Sequence, residues 1–162
     1  MRIGVISDTH IPDKASEIPK KVLDDFKNVD MVIHAGDLVD LSVLEKLRSV
    51  CKNVHAVRGN MDPEEVKKKL PEKEILKVGN HKIGITHGFG AANNLIEKLT
   101  SVFKEDEVDI IIFGHAHYSV NEKIGGILFF NPGSASDKTF SSYNSYGIIE
   151  INGEIKAEVI RL

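Results

Sequence analysis

Five short runs rich in valine and isoleucine recur along the chain: "RIGVIS" (Arg2–Ser7), "DMVIHA" (Asp30–Ala35), "NVHAVR" (Asn53–Arg58), "HKIGITH" (His81–His87) and "VDIIIF" (Val108–Phe113). Runs this short and this apolar read as buried strands. Helical patterns lie between several of them. "SEIPKKVLDDFKN" offers Ser16 as a cap and sets Val22, Leu23 and Phe26 on one face. "LSVLEKLRSV" does the same with Val43, Leu44 and Leu47, and "AANNLIEKLTSVFKE" with Leu95, Ile96, Leu99 and Phe103. Alternating strand and helix predicts an α/β domain. The end of the chain departs from that rhythm: "GILFFN", "SYGIIEI" and "EIKAEVIRL" are strands without intervening helices, and Asn152-Gly153 is a hairpin turn. The expected architecture is a mixed sheet, or two stacked sheets, flanked by helices. "KKKLPEKE" (Lys67–Glu74) reads as a solvated helix end broken by Pro71.

The residues just past each strand carry the chemistry. Asp8 and His10 come after the first, Gly36-Asp37 after the second and Gly59-Asn60 after the third; the fourth runs into His87-Gly88, the fifth into Gly114, His115 and His117. In α/β sheets functional groups gather at the carboxyl ends of parallel strands. Parallel pairing would therefore bring Asp8, His10, Asp37, Asn60, His87, His115 and His117 to one edge, and an adjacent glycine lets the backbone turn and a ligand approach. His115 and His117 are expected to face one side, as alternate positions of a strand end do. Seven such groups exceed one tetrahedral site and suit two metals sharing a carboxylate, an arrangement used for phosphoryl transfer. The mixture of oxygen and imidazole donors favours two divalent transition-metal ions per chain, Mn first, with Ni, Fe, Co or Zn as the other choices. Two carboxylates brought together without cations would repel.

Composition narrows the alternatives. The chain of 162 residues is expected to be a single domain, 1–162, large enough to bury a core without staples. A formal net charge of -3 gives no basic surface for a stable nucleic-acid complex. The one cysteine, Cys51, suits a buried core position and a reducing, cytoplasmic location. No apolar run reaches the ~20 residues of a membrane helix, and "MRIGVISDTH" meets an acid too early for a signal peptide. Homo-oligomerisation is left open.

Taken singly, each group has a plainer reading: Asp8 as a turn or cap residue, Gly36-Asp37 and Gly59-Asn60 as ordinary turn dipeptides, His87 as a satisfied histidine. The coincidence at five strand ends sets those readings aside. His55 and His81 receive no chemistry; His34, three residues before Asp37, could support the site from behind. Arg58 could reach a phosphate, although a solvent-facing strand arginine is the simpler reading.

The ordered motifs "DTH", "GD", "GN", "HG" and "GHAH" resemble the calcineurin-like metallophosphoesterase superfamily, and "NPGSAS" (Asn131–Ser136) resembles its short, single-domain prokaryotic phosphodiesterase branch. The resemblance covers Met1 to about Ser136. It implies a four-layer α/β/β/α sandwich and a phosphodiesterase acting on a small phosphodiester substrate. It further implies one metal held by Asp8, His10, Asp37 and His117, and another held by Asp37, Asn60, His87 and His115, with Asp37 bridging. Attack by a hydroxide between the two ions is the mechanism so implied.

One position departs from the pattern. Many members carry a histidine after Gly-Asn that assists the leaving group; here "GNMD" puts Met61 there, and methionine cannot donate a useful proton. Asp62 or a loop residue would then have to supply one. A different reading comes from the same fold: "HIPDKASEIPKK", "VGNHKIGITHG" and "NPGSAS" also resemble the retromer subunit of vacuolar protein sorting, a protein-interaction scaffold that has lost part of the metal set. This chain keeps Asp8, His10, Asn60 and His87, which favours the enzyme.

Overall fold

A computed structural model describes residues 1–139 and 142–162. In chain order its strands are β1 (Arg2–Ile6), β2 (Met31–His34), β3 (Val54–Ala56), β4 (Lys73–Val78), β5 (His81–Thr86), β6 (Ile110–Ile112), β7 (Ser119–Ile124), β8 (Ile127–Pro132), β9 (Ser145–Ile151) and β10 (Ile155–Arg161). The helices are α1 (Lys20–Phe26), α2 (Ser42–Arg48), α3 (Glu64–Lys69) and α4 (Leu95–Val102). Among the described residues the strands form two five-stranded mixed sheets, ordered β10-β9-β1-β2-β3 and β4-β5-β6-β8-β7. Strands β1, β2 and β3 are parallel to one another, as are β5, β6 and β8.

The unbroken apolar runs are explained by burial on both faces. On β1, Ile3 and Val5 point between the sheets while Ile6 points toward α1 and α2. On β6, Ile110 and Ile112 point between the sheets while Ile111 meets Leu99 and Phe103 of the α4 region. Helices thus cover the outer face of each sheet, giving the four-layer α/β/β/α sandwich the resemblance implied. Truncating a fully buried residue of the middle layer, such as Ile110, would cost about 2–5 kcal/mol. No helix among the described residues is long and apolar enough to cross a membrane.

Three local expectations need correction. The first helix begins at Lys20, with Pro19 at the N-cap position and no side-chain cap, so Ser16 does not cap it. Proline cannot continue a helix backwards past its first turn, and it sets the start. Pro71 does end the α3 segment, but Lys73 and Glu74 belong to β4 rather than to a helix end. β4 is an edge strand with one solvated face, where charged side chains are tolerated. His115 and His117 do not sit on a strand end: β6 stops at Ile112, and both histidines lie in the turn beyond it with positive φ.

Candidate metal centre

The loops after β1, β2, β3, β5 and β6 meet, and all seven residues singled out in the sequence come together there. Asp8 Oδ1 lies 3.9 Å from His10 Nε2 and 3.4 Å from His117 Nε2. Asp37 Oδ2 lies 3.1 Å from His87 Nε2 and 3.9 Å from His10 Nε2. Asn60 Oδ1 lies 3.1 Å from His87 Nε2 and 2.9 Å from His115 Nδ1. Donors each ~2.0–2.2 Å from a shared ion lie about 3–4 Å from one another, which is the span of these distances. Asp8, His10 and His117 form one compact donor group, and Asp8, Asp37 and His87 another. Asp8 belongs to both, and Asp37 faces both His10 and His87, so either carboxylate is positioned to be shared.

The backbone here is held in unfavourable conformations. Seven non-glycine residues among those described have positive φ, and five of them are Asp8, His10, Asp37, His115 and His117. Each such conformation costs of order 1–3 kcal/mol and persists only where its surroundings fix it. Those surroundings can be named. Asp62 is buried and accepts N–H bonds from Asp37 (3.2 Å), Val39 (2.7 Å) and Gly59 (2.7 Å), tying the β2 loop to the β3 loop. Its carboxylate is therefore committed to the backbone and is not poised as a proton donor. Ser134 Oγ donates to the Asp8 carbonyl (2.7 Å), Ser136 Oγ to the Thr9 carbonyl (2.7 Å) and Asn131 Nδ2 to the Gly114 carbonyl (2.8 Å). The "NPGSAS" segment thus clamps the β1 and β6 loops in place. Gly59 and Gly114 are needed for close approach: a Cβ would stand 2.1 Å from Asp37 Oδ1 at the first and 2.7 Å from Asp8 Oδ2 at the second.

Ring orientation is set by carbonyl partners. A carbonyl only accepts, so His87 Nδ1 donates to Ala35 (2.8 Å) and His115 Nε2 donates to Gly90 (2.8 Å). The other nitrogens, His87 Nε2 and His115 Nδ1, are turned into the centre. There His87 Nε2 meets only acceptors, Asp37 Oδ2 and Asn60 Oδ1. A positive charge must lie among them, either a proton or a cation. Burial depresses the His87 pKa, but the hydrogen bond to Asp37 and the field of Asp8 outweigh it and raise it to about 9. Burial raises Asp8 above the usual carboxylate range against the pull of His87 and His117. For Asp37 burial pushes upward, yet the His87 contact prevails and the pKa is lowered. His10 Nε2 is buried with no hydrogen-bond partner among the described residues, facing both carboxylates. This donor set fits two cations of the transition-metal class.

His34 supports the site without entering it. Its Nδ1 accepts from the Gly36 N–H (3.2 Å), so Nε2 donates to Thr9 Oγ1 (3.1 Å), and burial drives its pKa down to about 3. His55 pairs with Glu74 and His81 with Asp109, away from the centre. Cys51 is buried. Two residues near the site drew no functional reading from the sequence. Lys14 lines the ~540 Å³ cavity over the centre together with Met61, and Asp137 Oδ2 lies 3.8 Å from His117 Nδ1. Asp137 comes directly after "NPGSAS", and that adjacency is the one sequence signal that could have singled it out.

Residues 1–154 match the description "Calcineurin-like phosphoesterase superfamily domain". A protein of Methanocaldococcus jannaschii named probable metallophosphoesterase is 46% identical over 137 residues, 83% of this chain and 68% of that protein. A phosphodiesterase of the same organism is 33% identical over 145 residues, covering 82% and 83% of the two chains. The crystal structure of Entamoeba histolytica Vps29 complexed with Zn²⁺ matches with a TM-score of 0.78 at 31% identity, over 99% of both chains.

Proposed function

The chain belongs to the calcineurin-like phosphoesterase superfamily, and on that premise we propose that it is a phosphodiesterase acting on small phosphodiesters at a two-metal centre. The observation that carries this reading is the convergence of Asp37 Oδ2, Asn60 Oδ1 and His87 Nε2, which a proton holds together in the metal-free protein and which offers a cation its ligands once that proton leaves. Asp8, His10, Asp37 and His117 would hold one ion; Asp37, Asn60, His87 and His115 would hold the other. Mn is the first choice for a mixed carboxylate, amide and imidazole set, with Ni, Fe, Co and Zn next. When bound, the ions supply a nucleophile from water near neutral pH and neutralise the phosphoryl oxygens.

The chain's own residues prepare the rest. The Ala35 and Gly90 carbonyls fix the tautomers of His87 and His115, so no reorientation is needed on binding. Asp62, His34, Ser134 and Ser136 hold the strained loops in register. Lys14, at the cavity rim, draws in an anionic ester, while exposed Met61 offers the leaving group no proton. The free, buried Cys51 is in keeping with a reducing cytoplasm.

The likeness to Vps29 favours a second reading, a protein-interaction scaffold on the same fold. One Vps29 is named as complexed with Zn²⁺, so ion binding does not separate the two readings; turnover does. Hydrolysis of bis-p-nitrophenyl phosphate by the Mn-loaded protein, lost in Asp37→Ala, supports the enzyme. Mn binding without turnover of any diester supports the scaffold.

A further inference from the structure

Beside the centre lies a second cavity, of about 520 Å³, which shares Asn60 and His87 with it. Three cations line this cavity: Arg58, Lys67 and Lys73. Lys73 is taken up by Asp106 and the Val102 carbonyl. Arg58 pairs with Glu72 at 2.9 Å, but Glu72 is largely exposed, and such pairs yield readily to a stronger anion. Lys67 folds back from α3 so that its Nζ donates to the backbone carbonyl of Asn60 (3.2 Å), its one hydrogen-bond partner among the described residues. A candidate metal-holding residue and an ammonium group not matched to a carboxylate thus stand side by side. Elsewhere on the lining Phe89 is half exposed; Lys98 Nζ lies 5.5 Å from its ring centroid on one side, and the rest of the ring remains open.

We propose that this cavity receives one arm of the diester and that the arm is a mononucleotide, with its base against Phe89 and a second phosphate at Lys67 and Arg58. The proposal rests on the phosphodiesterase reading and names the substrate class of that same site. Three features carry it. The cavity opens on Asn60 and His87, so a diester at the centre can extend one arm into it. Its volume lies in the range of sites that enclose a small ligand. Its two responsive cations suit a phosphate, the guanidinium by bidentate contact and the ammonium as a point charge. An exposed aromatic face serves any base, because stacking is tolerant of base identity.

The test compares three substrates with the Mn-loaded full chain: a dinucleotide bearing a terminal 5′-phosphate, the same dinucleotide without it, and bis-p-nitrophenyl phosphate. The phosphorylated dinucleotide should show a kcat/KM at least tenfold above its unphosphorylated counterpart. Lys67→Met, on the exposed face of a short helix, should erase most of that ratio, and Arg58→Lys should reduce it. Phe89→Leu should raise KM severalfold for both dinucleotides. Equal kcat/KM for the two dinucleotides, with bis-p-nitrophenyl phosphate still turned over, would overturn the mononucleotide arm and leave the phosphodiesterase standing. Turnover of none of the three would overturn both.

Discussion

Asp37 Oδ2 and His87 Nε2 are 3.1 Å apart, and the other nitrogen of His87 is already committed to the Ala35 carbonyl. A proton holds this contact in the metal-free protein, with the His87 pKa raised to about 9. An ion entering the centre must displace that proton. Metal uptake should therefore release a proton at neutral pH, and apparent affinity should fall about tenfold per pH unit as the pH drops below about 9. Calorimetric titration in buffers of different ionisation enthalpy reads the proton directly. Uptake with no proton released would contradict this picture of His87.

The same groups set the stability of the metal-free protein. His87 has a folded pKa above its unfolded value of about 6.5. Its contribution is full below about 6.5 and is lost as the pH rises through about 9. His34 has a folded pKa depressed to about 3, so its contribution is full above about 6.5 and is lost as the pH falls toward 3. Denaturant unfolding of the apo protein should show both flanks. The alkaline flank should flatten in the metal-loaded protein, where His87 no longer carries the proton.

Asp37 faces His10 and His87 alike, whereas His81 lies at the far end of β5 from His87. Asp37→Ala should lower turnover at least a thousandfold and weaken metal binding. His81→Ala and His55→Ala should change turnover by less than twofold. A steady-state assay on bis-p-nitrophenyl phosphate decides this, and comparable damage from His81→Ala would refute the assignment of the histidines.

Asp62 touches no donor atom of the centre except through the backbone of Asp37. Asp62→Ala strands three N–H groups and should cost about 2–4 kcal/mol of stability. Metal affinity should fall roughly 10–100-fold, the usual effect of removing such support. Asp62→Asn keeps one acceptor oxygen and should fall between. Metal titration alongside thermal unfolding checks both effects.

Met61 lines the cavity over the centre and is 59% exposed, with no proton to give. Positioned general acids contribute ~10²–10⁴-fold where they exist. Turnover should therefore fall steeply as leaving-group pKa rises, and Met61→His should help poor leaving groups more than good ones. A series of aryl and alkyl esters measures the slope in both proteins. A flat slope in the natural protein would point to Lys14, the cation on the same cavity wall.

Much of this is legible in the sequence because the physics is local. β2 and β6 are buried throughout and β1 and β5 over most of their length, so these runs are largely apolar and their ends conspicuous; β3, at a sheet edge, is short and half-buried but still ends beside Gly59-Asn60. The metal-capable residues stand just past those ends, where parallel pairing gathers them without long-range information. Edge strands β4 and β7 escape a sequence reading, because a half-solvated strand carrying Lys73, Glu74, Lys77, Glu122 and Lys123 has the composition of a loop. His115 and His117 converge, but not by the strand alternation their spacing suggests. Two positive-φ turns aim one ring at Asn60 and the other at Asp8. Asp62 and Ser134 act through backbone groups far away in sequence, and no periodicity reports that.

The most direct measurement is diesterase activity of the metal-stripped protein against added Mn²⁺, with bound metal counted in the same samples. Activity on bis-p-nitrophenyl phosphate should be near zero without metal and should reach its plateau at about two ions per chain. Two ions bound with no turnover, or turnover that persists after the metal is removed, would contradict a two-metal diesterase.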